Sequence, residues 1–428
     1  MKIHCGGIGG IGLSAYASLQ KERGHEVTGS DAKESALVAD LRSRGIPVTL
    51  DQSGAGIPEE CELFVYSEAL TEDSPERKTA RERGIRSISY FHALGELSKE
   101  YKVIAVCGTH GKSSTTSMVA RLLIEAGADP TVVVGTKAPE LDGRNFRGGK
   151  SELFALEACE YKRSFHHLFP DVILLTNADG DHFDAYGSVE EYREAFVEFC
   201  KRLPEGGAVI THMADPDCAA IVRASGKHAI DADRMPAIRL GTPGRHMQEN
   251  AKLVLALAEF MGVSVGDASQ ILAGFTGTWR RMETKAVWDD GTVIVDDYAH
   301  HPVEIRASLQ GMREAHPDKR IVVAFQPHTH DRTVKLYDEF LTAFADADLV
   351  LLPNIFAARS ERDSAQIDPA ALAAGIAKGS GVPCEHTESL EKTEARLRGG
   401  ELKPGDVLVC MGAGDITELA ARMAVQRP

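Results

Sequence analysis

The sequence predicts an α/β protein built on parallel sheets, and three observations predict it. Short apolar runs alternate with amphipathic helical stretches almost from end to end. Two of those runs break into glycine turns that open a helix, Gly7-Ile8-Gly9-Gly10-Ile11-Gly12 and Gly108-Thr109-His110-Gly111-Lys112-Ser113. Polar clusters follow the apolar runs instead of interrupting them, as expected where ligands gather at the carboxyl ends of parallel strands.

Taken in order, 2–4 reads as a strand, 6–12 as its turn, 13–21 as a helix and 25–29 as a second strand. Apolar runs at 63–66 and 85–87 extend this sheet, and 93–99 reads as a linker helix. A second sheet begins at 103–106, with its helix expected over 115–125. Within it 152–156, 172–176 and 208–210 are strands, 189–203 is an amphipathic helix, and 248–261 is a closing helix. A third sheet takes 292–295, 321–325, 349–352 and 407–411. At ~150 residues per domain, the chain divides into three domains, expected at 1–98, 99–276 and 277–428.

Composition narrows the function classes. A net charge of −15 argues against a nucleic acid or an anionic membrane surface as partner, because either would demand a basic footprint. No apolar run approaches the ~20 residues of a membrane helix, and residues 1–12 lack the charged and apolar regions of a secretory signal. The eight cysteines contain no Cys-x-x-Cys pair, so reduced thiols in the cytosol are the expectation. There is no internal repeat and no low-complexity linker.

The turn at 108–113 aims backbone N–H groups and a helix N-terminus at one spot, which suits phosphate oxygens. Lys112 can reach β/γ-phosphates and Ser113 can place a hydroxyl on Mg²⁺, which predicts a bound nucleoside triphosphate. Gly108 sits nearer to Lys112 than the strict P-loop pattern asks. The turn at 7–12, with Asp31 after the next strand, suits a pyrophosphate and by itself leaves an NAD-dependent dehydrogenase open. Glu157 and His182 follow neighbouring strands and can join Ser113 around a divalent metal. The stretch Asp179-Gly180-Asp181-His182-Phe183-Asp184 also reads as a series of caps and turns.

Two further clusters, Asp296-Asp297-Tyr298-Ala299-His300-His301-Pro302 and Gln326-Pro327-His328-Thr329-His330-Asp331-Arg332, suggest one substrate-facing rim. Their histidines raise a binuclear metallohydrolase as a rival, but such an enzyme needs no phosphate loop. His246 and Asn250 open the closing helix, where adenine contact and ordinary capping are both open. Arg280 and Arg281 supply cations for a polyphosphate. The turn Gly412-Ala413-Gly414-Asp415 is assigned no ligand.

In this order, the motifs at 7–12, 108–112, 157–161, 181–184, 296–302, 325–328 and 411–416 resemble those of the Mur ligase family, over nearly the whole chain. The resemblance implies a three-domain architecture: a Rossmann-like N-terminal domain, a central P-loop-type ATPase domain and a Rossmann-like C-terminal domain. It implies ATP and Mg²⁺ as cofactors, and substrates comprising UDP-N-acetylmuramate and an amino acid, L-alanine for the alanine-adding members. It also implies a cytoplasmic monomer or homodimer, and it assigns the first glycine turn to a UDP-sugar instead of NAD. Two alternatives stay open, a recycling ligase that attaches a preformed tripeptide and a nucleotide-binding regulator that has lost catalysis.

Carried over by position, Gly108, Thr109, His110, Gly111, Lys112, Ser113 and Ser114 form the phosphate loop, and Ser113, Glu157 and His182 the metal site. His246 and Asn250 match the adenine pair, Arg281 the phosphate-facing arginine (Arg280 being its rival), and Asp297 the ribose contact. Tyr298, His300, His328 and Arg332 match the amino-acid site. Gly7, Gly9, Gly10, Gly12, Asp31 and Ser67 would frame the UDP-sugar. Lys112, Glu157, His182, His300 and Arg332 are the expected catalytic set. Three departures stand out. Ser113-Ser114 replaces a commoner Thr-Thr, and Thr329 stands where many alanine-adding members carry arginine. The stretch 184–246 is short, with the strands expected between Asp215 and Gly244 missing.

Overall fold

The computed structural model describes residues 1–180, 185–356 and 367–425. The chain forms two compact units, Met1–Arg239 with Glu249–Phe275, and Leu240–Gln248 with Thr276–Pro428.

The first unit carries two sheets. β1 (Lys2–Gly6), β2 (Glu26–Ser30), β3 (Val48–Thr49), β4 (Leu63–Tyr66) and β5 (Arg86–Ser89) run parallel in the order β3-β2-β1-β4-β5. The chain leaves β1 toward β2 and later returns on its other side as β4, so the carboxyl end of β1 is a topological switch point. The second sheet holds β6 (Lys102–Cys107), β7 (Thr131–Ala138), β8 (Arg144–Arg147), β9 (Leu153–Glu157), β10 (Val172–Leu175), β11 (Ala208–Thr211) and β12 (His228–Asp231). Its order is β12-β11-β10-β6-β9-β7-β8, parallel except for β8. Here β6 lies between β9 and β10 and is again the switch point.

Strand β12 corrects one expectation. The stretch between Asp215 and Gly244 does contain a strand, held parallel to β11 from His228 to Asp231. It follows a helix, Pro216–Ser225, whose first turn is capped by the Asp215 carboxylate.

Helix Ile11–Glu22 packs against β7 and β8, and the Asn145 amide donates to Ile11 O at 2.6 Å and to Ser14 Oγ at 3.0 Å. One apolar core therefore runs through both sheets, from Leu13 and Tyr16 to Phe146, Phe154, Phe165 and Phe196. Phe165 stacks on Phe199 at 4.5 Å and meets Phe196 edge-on at 5.2 Å. Burying each such ring contributes about 1.5–3 kcal/mol.

The second unit is one sheet. β13 (Glu283–Val287), β14 (Val293–Asp297), β15 (Ile321–Phe325), β16 (Leu349–Leu352), β17 (Cys384–His386) and β18 (Val407–Met411) lie in the order β13-β14-β18-β15-β16-β17. Only β13 is antiparallel to its neighbour. β14, β15 and β18 are buried along their whole length, as parallel strands covered on both faces are. The last strand in sequence thus inserts between β14 and β15, which brings three carboxyl ends side by side. All eight cysteines are free thiols, and no helix among the described residues is long and apolar enough to cross a membrane.

Candidate functional site

At the end of β6 the chain turns through Gly108, at φ +137°, and Gly111, at φ +81°, into helix Lys112–Glu125. Both turns require glycine. A Cβ on Gly108 would stand 2.0 Å from Thr176 Oγ1, and one on Gly111 2.7 Å from Asn250 Oδ1. The loop is held from the end of β10. Asn177 accepts from His110 N at 2.9 Å, and the Thr176 hydroxyl donates to His110 O at 2.6 Å. Thr109 Oγ1 lies 2.9 Å from the Tyr192 hydroxyl, while Ser113 and Ser114 are buried in the first helical turn. Asn250 lies against this loop through Gly111.

Lys112 places its ammonium inside the turn. It donates to Gly108 O at 2.6 Å, Thr109 O at 2.9 Å and Glu160 Oε1 at 2.9 Å. Burial opposes its charge, but Glu160 foremost, with Cys159 and Glu157, outweighs burial and holds the ammonium well above its ordinary range. Glu160 is 1% exposed and its carbonyl accepts from the Tyr186 hydroxyl. Glu157, ending β9, accepts from Gly135 N at 2.8 Å through Oε2. His110 stands 3.7 Å from Asp179, and His182 lies outside the described residues.

The first switch point is built on the same plan. Gly7 N and Ile8 N both donate to Ser30 O at 2.9 Å. Gly9 N donates to Asp31 Oδ2 at 2.8 Å, and Gly10 stands as the N-cap of helix Ile11–Glu22. Gly7, at φ +74°, leaves no room for a Cβ above Ser67, which follows β4. Gly12 faces Tyr90 in the same way. Gly7, Gly9, Gly12, Asp31 and Ser67 are thereby brought together.

In the second unit, Asp297 ends β14 and is buried, so its carboxyl is pushed up to about 6, mainly by burial. Both oxygens face inward, accepting from Ala299 N at 2.7 Å and Met282 N at 2.8 Å, with the Ser308 hydroxyl at 3.3 Å. Tyr298 lies under both arginines, each guanidinium 4.9 Å from its ring centre. The arginines differ. Arg280 is buried and donates to Gly412 O at 2.6 Å and Gly414 O at 3.2 Å, whereas Arg281 is half-buried and lies 3.9 Å from Glu304. His246 packs against Gly244. Burial first, then Arg281, pull its imidazole down to about 4, against Glu304.

The rim residues meet as the spacing suggests. The His300 and His328 rings are 5.8 Å apart, and Arg332 Nη1 stands 3.4 Å from His328 Nδ1. His328 stacks on Phe356 at 5.3 Å, and His300 Nδ1 is 3.3 Å from Glu304. Sequence reasoning gave no role to Glu160, which lies within the motif at 157–161, nor to Thr176, Asn177 and Glu304, which touch the expected residues. It also gave no role to the turn 412–415. That turn receives Arg280, and Gln326 donates to Asp415 Oδ1 at 2.6 Å.

Each of the three sheets thus presents its polar residues at neighbouring strand ends, the arrangement of an enzyme that handles phosphate-bearing substrates. Three family models cover this ground: the Mur ligase catalytic domain over residues 2–102, the Mur ligase middle domain over 106–235 and the Mur ligase glutamate ligase domain over 280–414. The chain belongs to the Mur ligase family. Among curated relatives, the UDP-N-acetylmuramate–L-alanine ligase of Clostridium novyi is 35% identical, over 97% of this chain and 95% of its own. That of Nitratidesulfovibrio vulgaris is 38% identical over 98% and 97%. The solved UDP-N-acetylmuramate–alanine ligase of Thermotoga maritima superposes with a TM-score of 0.83 at 28% identity, covering 99% of this chain and 98% of that one. A murein peptide ligase of Psychrobacter arcticus shares the fold, with a TM-score of 0.72 at 23% identity over 99% and 98%.

Proposed function

We propose that this protein joins L-alanine to the lactyl carboxylate of UDP-N-acetylmuramate, driven by ATP with Mg²⁺, in the cytoplasmic synthesis of peptidoglycan precursors. The observation that carries the reading is likeness along 97–98% of the chain to relatives bearing that name. In this reading the domains 1–98, 99–276 and 277–428 take the UDP-sugar, the nucleotide and the amino acid.

A carboxylate is a poor electrophile and repels a polyphosphate. ATP supplies the phosphoryl group that activates it as an acyl phosphate, and Mg²⁺ neutralises charge between the two anions. Ser113 and Glu157 would hold the ion, with His182 by resemblance. The donor set fits, since Ser113 and Glu157 offer hard oxygens and Glu157 Oε1 has no partner among the described residues. Lys112 serves the phosphates by exchanging one of its two loop bonds, and Glu160 keeps it charged throughout. The hydrogen bonds of Arg280 to the carbonyls of the 412–414 turn support Arg281 as the arginine for the phosphates.

Arg332 would grip the amino-acid carboxylate with its planar fork. Tyr298, His300 and His328 would border the amine as it attacks the acyl carbon and releases phosphate. Holding amine and acyl group together contributes up to roughly 7–11 kcal/mol from orientation. Phosphate release from ATP and Mg²⁺ with UDP-N-acetylmuramate, over a panel of amino acids and the stem tripeptide, tests the reading. Release is expected with L-alanine, and more weakly with glycine or L-serine. Release with the tripeptide alone would assign the recycling reaction instead, and none with any acceptor would overturn the ligase reading.

A further inference from the structure

We infer that the Tyr90 hydroxyl is a direct contact for the sugar nucleotide, reaching it between the glycine turn of β1 and Glu157 of β9. The inference rests on the ligase reading and adds a residue that no motif contains. Tyr90 follows β5 directly, as the first residue of helix Tyr90–Ser98. Its phenol lies against the start of helix Ile11–Glu22. A Cβ on Gly12 would stand 2.8 Å from Tyr90 Cε1, Cζ and Oη, so Gly12 is glycine to admit this ring. Tyr16 meets the ring edge-on at 6.4 Å, and Phe91 lies at 4.9 Å.

The helix that Tyr90 opens packs against the segment that follows β9, where His92 stacks on His167 at 5.0 Å. Burial first, then Glu157 and Cys159, raise the phenol above its ordinary range. Tyr90 is half-buried, and its hydroxyl makes no hydrogen bond to the described residues. A tyrosine in such surroundings ordinarily finds one for its O–H. It stands against the first strand-end turn, suited to a nucleotide diphosphate, while its helix packs on the segment that follows the second, the end of β9. A substrate extending from the first toward the second passes it. A phenol, protonated at neutral pH, can donate to an anionic or hydroxyl oxygen of that substrate.

Tyr90→Phe keeps the ring and removes only the O–H, so packing alone predicts no change. Wild type and variant are compared with each of the three substrates varied in turn, alongside thermal midpoints. The expected result is about a tenfold loss of kcat/KM for UDP-N-acetylmuramate, with KM for ATP and L-alanine and the midpoint unchanged. A kcat/KM for the sugar nucleotide within about twofold of wild type, or parallel losses for all three substrates, would overturn the inference and leave the ligase reading standing. No turnover of UDP-N-acetylmuramate by wild type would overturn both.

Discussion

The turn after β1 and the turn after β6 both leave a strand at a switch point and both open a helix, yet one is answered by an acid and the other by a base. Gly9 N is already occupied by Asp31, so the first turn carries its own carboxylate and presents no cation. The second carries Lys112, a buried hydroxyl at Ser113 and, among the described residues, no acid on its N–H groups. Glycine spacing selects the backbone path in both, and the neighbouring side chains select the charge of the ligand. The first therefore suits a sugar nucleotide with hydroxyls to offer, and the second a triphosphate with its cation.

The largest effect that can break this contrast is at Lys112. Lys112→Ala is expected to lower kcat by about 10³-fold or more. It also removes the ammonium that pairs with the buried Glu160, which should lower the melting temperature. Adding Glu160→Gln should restore most of the melting temperature and none of the activity. Recovery of activity in the double variant would show that Lys112 serves the fold alone.

Glu157→Gln is next. It keeps an acceptor for Gly135 N and removes the charge, so a loss of about 10² in kcat is expected, together with a higher Mg²⁺ requirement. An unchanged Mg²⁺ titration would remove Glu157 from the proposed metal site. Asp31→Ala sharpens the other side of the comparison. Its expected effect is about a tenfold rise in KM for the sugar nucleotide at nearly constant kcat.

The last effect is on stability alone. The imidazole of His246 titrates near 4 in the fold and near 6.5 when unfolded, so the unfolded chain binds the extra proton first. Its contribution is complete above about pH 6.5 and is lost as pH falls toward 4, on the order of 3 kcal/mol in all. Denaturation of wild type and His246→Gln across that window should show the wild type losing more stability on acidification. Parallel curves would mean that His246 is more open to water than its packing indicates.

What was legible in the sequence was local. Both glycine turns, Asp31, Glu157 and the rim histidines follow apolar runs within a few residues, and each sits at the strand end expected for it. Helix Lys112–Glu125 starts three residues before the expected position, because Gly111 adopts the left-handed cap that lets Lys112 be helical. What was not legible depended on tertiary neighbours. Strand β12 reads His-Ala-Ile-Asp and is only partly buried, so no apolar run announces it. Strand β7 has Gly135 and Lys137 in its apolar pattern, and only its pairing with β9 and β8 defines it. Arg280 and Arg281 are adjacent in sequence, and burial against the 412–414 turn is what separates them. Glu160 was visible as a residue but not as the partner of Lys112, since 48 positions of chain lie between them.

The division of labour between the two turns is tested most directly by titrating UDP-N-acetylmuramate, and separately a non-hydrolysable ATP analogue with Mg²⁺, into folded Asp31→Ala and Lys112→Ala proteins. Asp31→Ala should weaken only the sugar nucleotide, and Lys112→Ala only the ATP analogue. Loss of the same ligand in both variants, or the reverse assignment, would contradict the account.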